Sequence, residues 1–248
     1  MSRGRGALIV FAKRPRAGQV KTRMTPPLTP EQAAELYSCL LQDVLEVSAA
    51  IAEQCALDPV LAVQPASARA ELAALCPAAF RVVGQRGADL GERMDRAVRE
   101  AAAAGSAPIL LRGSDSPTLD AASVAAALAT LRVNELVVCP DRDGGYNLIG
   151  LRGPAPGLFA HPMSTRSALE DTLAGARRRG WRVALLPARF DLDRVEDLRW
   201  LAAARAEGAG ALCPRTLAYL DAHDLWRLAG CAGVARGDTS LAGSRGTR

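Results

Sequence analysis

The sequence predicts an α/β protein, in which a mainly parallel sheet is covered by helices on both faces. Short apolar runs alternate with helical segments along most of the chain, an order typical of βαβ units. The candidate strands are continuous apolar runs, which indicates burial on both faces of the sheet. The 248 residues are 49% hydrophobic, enough for one large domain with a sizeable core.

The apolar patterns give the position of each element. Strands are predicted at 7–12, 59–63, 80–83, 108–112, 135–139, 146–150 and 181–186. Helices are predicted from Thr29 onward and at 67–75, 90–104, 120–131, 165–179, 194–206 and 212–228. Thr29, Pro30 and Gln32 form a capping-box-like start, and Ser164 with Thr165 is expected to cap the helix at 165–179.

The chain divides into a large domain and a different C-terminal stretch. Residues 1–210 are predicted to form a single catalytic domain, and residues 211–229 a C-terminal helix. From position 230 to 248 the sequence is mostly Gly, Ala, Ser and Arg, a composition that predicts a disordered tail.

Composition excludes several classes of protein. The net charge is +5, but no basic stripe with interleaved aromatic residues is present, so nucleic-acid binding is not expected. No run approaches the roughly 20 apolar residues of a membrane span. Six scattered cysteines without a CxxC pair, and no secretory signal, predict free thiols and a cytoplasmic protein. Two histidines leave little room for a Ser-His triad or zinc site.

The first predicted strand ends in a cationic, glycine-containing loop that resembles a phosphate site. Lys13, Lys21, Thr22 and Arg23 follow the strand closely. The loop is neither a Walker loop nor a GxGxxG fingerprint, so side-chain charges are expected to hold phosphate together with backbone N–H groups. A solvated basic loop is the alternative, although such close charges repel unless an anion, such as a triphosphate, neutralises them.

Two acidic segments follow later strands. Asp115, in the 113–117 segment GSDSP, lies at the tip of a central strand, where it can present a carboxylate to phosphate-bound Mg²⁺. Asp193, in the 191–198 segment DLDRVEDL, could supply a second carboxylate. Each has a structural alternative: the first segment could be a turn with a helix start, and Asp193 could cap a helix.

Two glycine-containing loops complete the candidate site. The 85–94 segment QRGADLGERM could contact a nucleotide, or could simply be a loop with Asp89 as a helix cap. The 141–147 segment DRDGGYN could form a hairpin turn, or its glycines could let the backbone approach an acceptor. In the second case Tyr146 and Asn147 could hydrogen-bond that acceptor.

Taken together, these motifs resemble one family. The segments FAKRPRAGQVKTR (11–23), GADLGERM (87–94), GSDSP (113–117) and DGGY (143–146) are similar to those of the GT-A-superfamily "selenodomain-associated" or arsenosugar-biosynthesis transferases. Phospholactate guanylyltransferases, which are nucleotidyltransferases, have a similar Lys-Thr-Arg loop and Gly-Gly turn. The resemblance covers about residues 7–205 in order.

The resemblance implies a GT-A, nucleotide-diphospho-sugar transferase-like fold: a Rossmann-like three-layer sandwich. It implies a metal carboxylate at Asp115, and similar nucleotidyltransferases place a late aspartate, matched here by Asp193, on the same Mg²⁺ or Mn²⁺. With the cationic loop, this predicts Lys13, Lys21, Arg23 and Asp115 as catalytic residues. The implied nucleotide-binding residues are Phe11, Ala12, Lys13, Gly18, Lys21, Thr22, Gly87, Asp89, Leu90, Arg93 and Ser114. The implied acceptor-binding residues are Asp143, Gly144, Gly145, Tyr146, Asn147 and Ser164.

Three functions are compatible with these residues. A Mg²⁺-dependent nucleotidyltransferase would join the nucleotide of an NTP to a phosphorylated or phosphonate acceptor and release pyrophosphate; the cationic loop favours this function. A glycosyltransferase would use a nucleotide sugar on the same metal site, with Asp141 or Asp143 as candidate base. A non-catalytic nucleotide-binding module is the third. The expected partners are a nucleotide and a small anionic acceptor, and the oligomeric state is open, a homodimer included.

Overall fold

Seven strands form a sheet in the computed structural model, which describes residues 5–231. All seven lie close to their predicted positions. Their bounds are β1 Gly6–Lys13, β2 Leu57–Gln64, β3 Arg81–Gly84, β4 Ile109–Gly113, β5 Leu136–Pro140, β6 Tyr146–Leu151 and β7 Val183–Leu185.

The sheet is mostly parallel, as the sequence predicts, and β6 is antiparallel. The strand order is β3-β2-β1-β4-β6-β5-β7. β6 lies between β4 and β5 and runs antiparallel to both, because it follows β5 through a hairpin. The first residues of β6 therefore lie at the carboxyl edge of the parallel strands, where ligands bind in such sheets.

Helices cover both faces of the sheet and give the expected three layers. Their bounds are α1 Pro30–Gln54, α2 Arg69–Ala73, α3 Leu90–Ala103, α4 Ala121–Thr130, α5 Ala168–Arg178, α6 Leu198–Ala206 and α7 Pro214–Ala222. Alternate residues of β1 face opposite layers: Ala7 and Ile9 pack with α3 and α5. Leu8 packs with α4 and the end of α1, and Val10 with α1, α6 and α7.

The helix starts differ in how well their local signals predict them. The α1 start is confirmed: Thr29 accepts from the Gln32 N–H at 3.2 Å, and Gln32 accepts from the Thr29 N–H at 3.0 Å. The prediction for α5 is wrong. Its N-cap is Ser167, and Ser164 has a left-handed φ of 60° before it, because the preceding turn packs against the β5–β6 hairpin.

The C-terminal segment packs into the same core as β1. Where one helix was predicted at 212–228, α7 ends at Ala222 and a short 3-10 turn spans Leu225–Ala229, separated by Asp224 with a left-handed φ of 50°. Trp226 is fully buried among residues of α1, α6 and α7. The predicted tail at 230–248 lies, apart from its first two residues, outside the described part of the chain.

The six cysteines are free thiols. Within residues 5–231, no helix combines the length and the apolar character needed to cross a membrane.

Candidate active site

A cleft of about 590 Å³ opens at the carboxyl edge of the sheet, a volume typical of small-molecule sites. Sixteen of the residues singled out from the sequence line it. These are Phe11, Ala12, Lys13, Lys21, Thr22, Arg23, Leu90, Arg93, Ser114, Asp115, Asp143, Gly145, Tyr146, Asn147, Ser164 and Asp193. The fold thus brings four of the predicted loops together with the segment after β7.

Lys21 joins the first loop to both candidate metal carboxylates. Its ammonium contacts Asp115 at the end of β4 and lies 3.3 Å from the Asp193 carboxylate. The Lys21 side chain is only 3% exposed, and the two carboxylates are each 35% exposed. Burial alone would lower the pKa of Lys21, but the facing carboxylates outweigh it and raise that pKa above its ordinary value.

Three cations of the first loop, Arg14, Lys21 and Arg23, are paired with carboxylates of the protein. Arg23 lies 3.1 Å from Asp193, and Arg14 pairs with Glu71 at 3.3 Å. The expectation that an anion such as a triphosphate is needed to neutralise these cations is therefore wrong for Lys21 and Arg23. Carboxylates from distant parts of the chain neutralise them, and the sequence does not show this.

Tyr37 joins the end of β1 to the loop after β4 beside the cleft. Its hydroxyl accepts from the Lys13 backbone N–H at 3.0 Å and lies 2.8 Å from the Ser114 hydroxyl. Burial and the nearby Asp115 raise the pKa of Tyr37 to about 12, so the hydroxyl remains protonated at neutral pH. This bridge fixes the relative position of the cationic loop and the loop that carries Asp115.

Arg112 supports the Asp115 loop from inside the protein. Its guanidinium is buried and donates to the Ser48 hydroxyl at 3.1 Å and the Ser116 carbonyl at 2.8 Å. Burial lowers the pKa of Arg112 to about 10, which leaves it charged at neutral pH. A buried cation that is hydrogen-bonded in this way restrains the loop, because moving the loop would leave the charge without partners.

A polar network connects the end of β5, β6 and the 191–193 segment on the β6 side of the cleft. The Asn147 amide nitrogen donates to Asp191 at 2.7 Å and to Asp141 at 3.1 Å, and Ser116 donates to Asp191. The Asn147 side-chain oxygen lines this region, buried and without a partner among residues 5–231. Burial, together with the charges of Asp115 and Asp141, raises the pKa of Asp191.

Four predicted site residues do not line the cleft. Gly18 and Gly87 have left-handed φ values of 73° and 144° in exposed turns. Asp89 caps α3 by accepting from the Glu92 N–H at 2.8 Å. Gly144 packs against the segment before α5, where an added Cβ would lie 2.1 Å from the Arg166 carbonyl oxygen. Their roles in turns, in a helix cap and in a close backbone contact explain why these positions hold glycine or aspartate.

Asp193 faces the cleft because another residue caps the next helical segment. The Asp197 carboxylate accepts from the backbone N–H groups of Asp193 and Arg194, at 2.9 and 2.7 Å. The interpretation of Asp193 as a helix cap is therefore wrong. Its side chain is left to pair with Lys21 and Arg23.

Sequence reasoning missed Asp191, Arg112 and Tyr37 as cleft residues. The DLD pattern at 191–193 could have indicated both aspartates, because residues two positions apart in an extended segment lie on the same face of the chain. For the others, an apolar or helical context gave no local signal.

Asp115 and Asp193 fit a divalent cation that is shared with a substrate. Both carboxylates already converge on one buried cation, the Lys21 ammonium. Among residues 5–231, no cluster of three or more acidic, histidine or cysteine side chains is arranged to hold a metal ion alone. Two carboxylates completed by phosphate oxygens and water are the coordination that Mg²⁺ commonly takes.

Comparison with known proteins agrees with this fold. A proposed nucleotide-diphospho-sugar transferase from Desulfovibrio desulfuricans G20 has a crystal structure with a TM-score of 0.82 and 30% identity, over 92% of this chain and 99% of that one. The CTP complex of CMP:2-keto-3-deoxy-manno-octonic acid synthetase has a TM-score of 0.53 at 11% identity, over 83% of this chain and 100% of that one. It shares the fold. The fold and the site define a transferase of the nucleotide-diphospho-sugar transferase-like class.

The family follows from sequence similarity. The model described as "Uncharacterized protein conserved in bacteria (DUF2064)" matches residues 46–165. The chain is 35% identical over 185 residues to the 3-phospho-D-glycerate guanylyltransferase of Phenylobacterium zucineum (strain HLK1), covering 71% of this chain and 81% of that protein. The chain belongs to the family of these proteins, in agreement with the resemblance found in its motifs.

Proposed function

We propose that this protein is a nucleotidyltransferase that transfers GMP from GTP to a phosphorylated hydroxy acid and releases pyrophosphate. The nucleotide and the first acceptor to test, 3-phosphoglycerate, come from the name of the Phenylobacterium relative. The observation that carries the proposal is the convergence of Lys21, Arg23, Asp115 and Asp193 in one cleft. This set combines cations for a polyphosphate with carboxylates for a bridging metal ion.

Each part of the cleft has a place in this reaction. Lys13, Lys21 and Arg23 would bind the β- and γ-phosphates and the departing pyrophosphate. Phe11, Leu90 and the 85–94 loop, on the β1 and α3 side, would contact the nucleoside. The acceptor would lie on the β6 and α5 side, near Tyr146, Asn147 and Ser164. Tyr37 and Arg112 would keep these parts in position.

The chemistry needs no proton to be removed. An oxygen of the acceptor phosphate forms a bond to the α-phosphorus of GTP, and the bond from that phosphorus to the β-bridging oxygen breaks. The attacking oxygen is already ionised at neutral pH, and the leaving pyrophosphate takes the electron pair. Catalysis therefore consists of alignment and charge neutralisation by the cations of the cleft.

Mg²⁺ held by Asp115 and Asp193 would supply further neutralisation of the phosphate charges. The chain's own residues would do the rest. Asp115 is fixed by the short loop after β4 and Asp193 by the Asp197 cap. Both therefore face the cleft before a substrate binds.

Pyrophosphate release tests the proposal directly. The protein is incubated with Mg²⁺, each of the four NTPs and a panel of acceptors: 3-phosphoglycerate, 2-phospholactate, a sugar phosphate and a phosphonate. Pyrophosphate formed only with GTP and a phosphorylated acid is the expected result. The product should contain the guanosine diphosphate linkage, which phosphorus NMR identifies.

The same assay separates the other functions. Release of a nucleoside diphosphate from a nucleotide sugar, without pyrophosphate from any NTP, would indicate a glycosyltransferase instead. Nucleotide binding without any turnover would indicate a binding module. Either result contradicts the proposed reaction.

A further inference from the structure

Lys21 occupies the position between the two carboxylates that a bridging cation would need. Its ammonium contacts Asp115 and lies 3.3 Å from Asp193, and its side chain is 3% exposed. Lys21 adopts a left-handed backbone conformation with φ 48°, which is unfavourable for a residue with a Cβ. The tertiary ion pairs therefore hold Lys21 in a conformation that its local sequence does not favour.

A divalent cation cannot bind these carboxylates while Lys21 contacts both. Mg²⁺ takes carboxylate oxygens at about 2.0–2.1 Å, so it would share the space of the ammonium and be repelled by its charge. Lys21 would have to leave, and a buried ammonium without an anion is costly. The exchange therefore needs a second anion within reach of the Lys21 side chain.

We propose that Lys21 keeps the metal site closed in the free enzyme and yields it only to a metal ion that arrives with a polyphosphate. The inference rests on the proposed function, since it takes Asp115 and Asp193 as the metal carboxylates. The polyphosphate supplies the new partner for Lys21, whose flexible four-carbon stem allows the ammonium to move. Arg23, half-exposed and paired with Asp193 at 3.1 Å, can transfer to the phosphates in the same way.

This arrangement makes metal and nucleotide binding cooperative. The nucleotide removes Lys21 from the carboxylates and so raises the affinity for the metal ion, and by reciprocity the metal ion raises the affinity for the nucleotide by the same factor. The free protein should accordingly bind the metal ion weakly, although it holds two facing carboxylates.

Mn²⁺ alone provides the test, with binding to the full chain measured by electron paramagnetic resonance or calorimetry. We expect the Lys21→Met variant to bind Mn²⁺ without nucleotide at least about tenfold more tightly than the wild type. The wild type should reach comparable affinity only with α,β-methylene-GTP present. Lys13→Met is the matched control: it removes one cation from the same loop, and Lys13 is exposed and pairs with neither carboxylate among residues 5–231. Without nucleotide, its Mn²⁺ affinity should stay within about twofold of the wild type.

The outcomes separate this inference from the metal site itself. Equal Mn²⁺ affinity of the wild type and Lys21→Met without nucleotide would overturn the inference while leaving the site intact. Absence of Mn²⁺ binding in every variant, even with the nucleotide analogue, would overturn the metal site and the inference with it. If Lys21→Met does not fold by circular dichroism, Lys21→Gln, which keeps a hydrogen-bond donor between the carboxylates, replaces it.

Discussion

Asp115 is the residue of the candidate site whose charge we expect to matter most for turnover. It follows the central strand β4 by two residues and contacts the Lys21 ammonium. Its loop is restrained by Arg112 through Ser116 and by Tyr37 through Ser114. A carboxylate that is already paired with a cation and held by a restrained backbone loses little conformational freedom when it binds a ligand. Its charge should therefore be decisive for turnover.

We expect Asp115→Asn to lower pyrophosphate release by at least about 100-fold, because the amide keeps the shape of the side chain and removes the charge that neutralises and binds a cation. The measurement is kcat for GTP with 3-phosphoglycerate and Mg²⁺. The control is Asp120→Asn, in which asparagine still caps α4, and its kcat should match the wild type. An Asp115→Asn variant with full activity would remove Asp115 from the site.

At the residue scale, the sequence identifies a candidate site residue when its type and its position after a predicted strand are enough to suggest its role. Lys21 and Asp115 were singled out because they follow predicted strands, and Asp193 because it could pair with Asp115; the structure brings the three side chains together. Asp89 and Gly144 were assigned to the site by the same reasoning, and in the structure they form a helix cap and a close backbone contact. Aspartate and glycine suit caps and turns as well as binding sites, so a loop of such residues does not reveal its role.

At the scale of elements, the β5–β6 hairpin and β7 share one ionic anchor at the amino end of β5. Glu135 pairs with Arg182 next to β7 at 3.0 Å and with Arg152 after β6 at 2.9 Å. It also accepts from the Arg182 backbone N–H at 2.9 Å. One carboxylate thus connects three neighbouring strands, and these connections support the edge of the sheet.

Glu135 predicts a specific dependence of stability on pH. Hydrogen bonds and charge from Arg182, with the charge of Arg152, lower the pKa of Glu135 from 4.5 to about 2. Because the folded-state pKa is the lower one, the stabilisation is complete above about pH 4.5 and is lost as the pH falls toward 2. We expect Glu135→Gln to lower the free energy of unfolding modestly at pH 7, and this deficit should shrink between pH 4.5 and 3.

Urea denaturation at pH 7, 5, 4 and 3 measures this difference. The control is Glu207→Gln, which changes an exposed glutamate at the end of α6 and should not alter the curve at any pH. A deficit for Glu135→Gln that is the same at every pH would show that the loss comes from packing or local structure instead of from the charge.

The positions of the strands and helices were predictable because hydrophobic periodicity and helix capping are local signals. The seven strands and the α1 capping box follow from them. The antiparallel direction of β6 depends on its pairing between β4 and β5, although the turn residues at 141–145 predict the reversal that produces it. The start of α5 was not predictable, since Gly144 and the residues before α5 decide it by packing against one another.

At the scale of the whole molecule, the C-terminal segment is part of the main core. Trp226 is 0% exposed and donates to Asp221 at 2.7 Å, and Asp221 also binds Arg205 of α6 at 2.8 and 3.0 Å. Asp43 of α1 accepts from the Thr216 backbone and hydroxyl of α7 at 2.8 Å each. The buried contacts between Asp43 and Thr216 join residues 173 positions apart in sequence.

We expect Trp226→Ala to lower the free energy of unfolding by about 3–5 kcal/mol, the usual cost of a large cavity in a core. Urea denaturation followed by circular dichroism measures the loss as one cooperative transition. Trp181→Ala, at a half-buried position beside α5, should cost clearly less. A loss below about 1 kcal/mol for Trp226→Ala would mean that the C-terminal segment contributes little to the core.

The sequence by itself determined the layers of this protein and the segments that form its cleft, because strand period, helix caps and loop composition act between near neighbours. Only the tertiary structure decided which charges meet. Lys21 reaches Asp115 across 94 residues and Asp193 across 172, and Asp191 joins Ser116 and Asn147. Coulombic and hydrogen-bond energies depend on distance in space, and the folded sheet sets that distance when it brings separate strand ends to one edge.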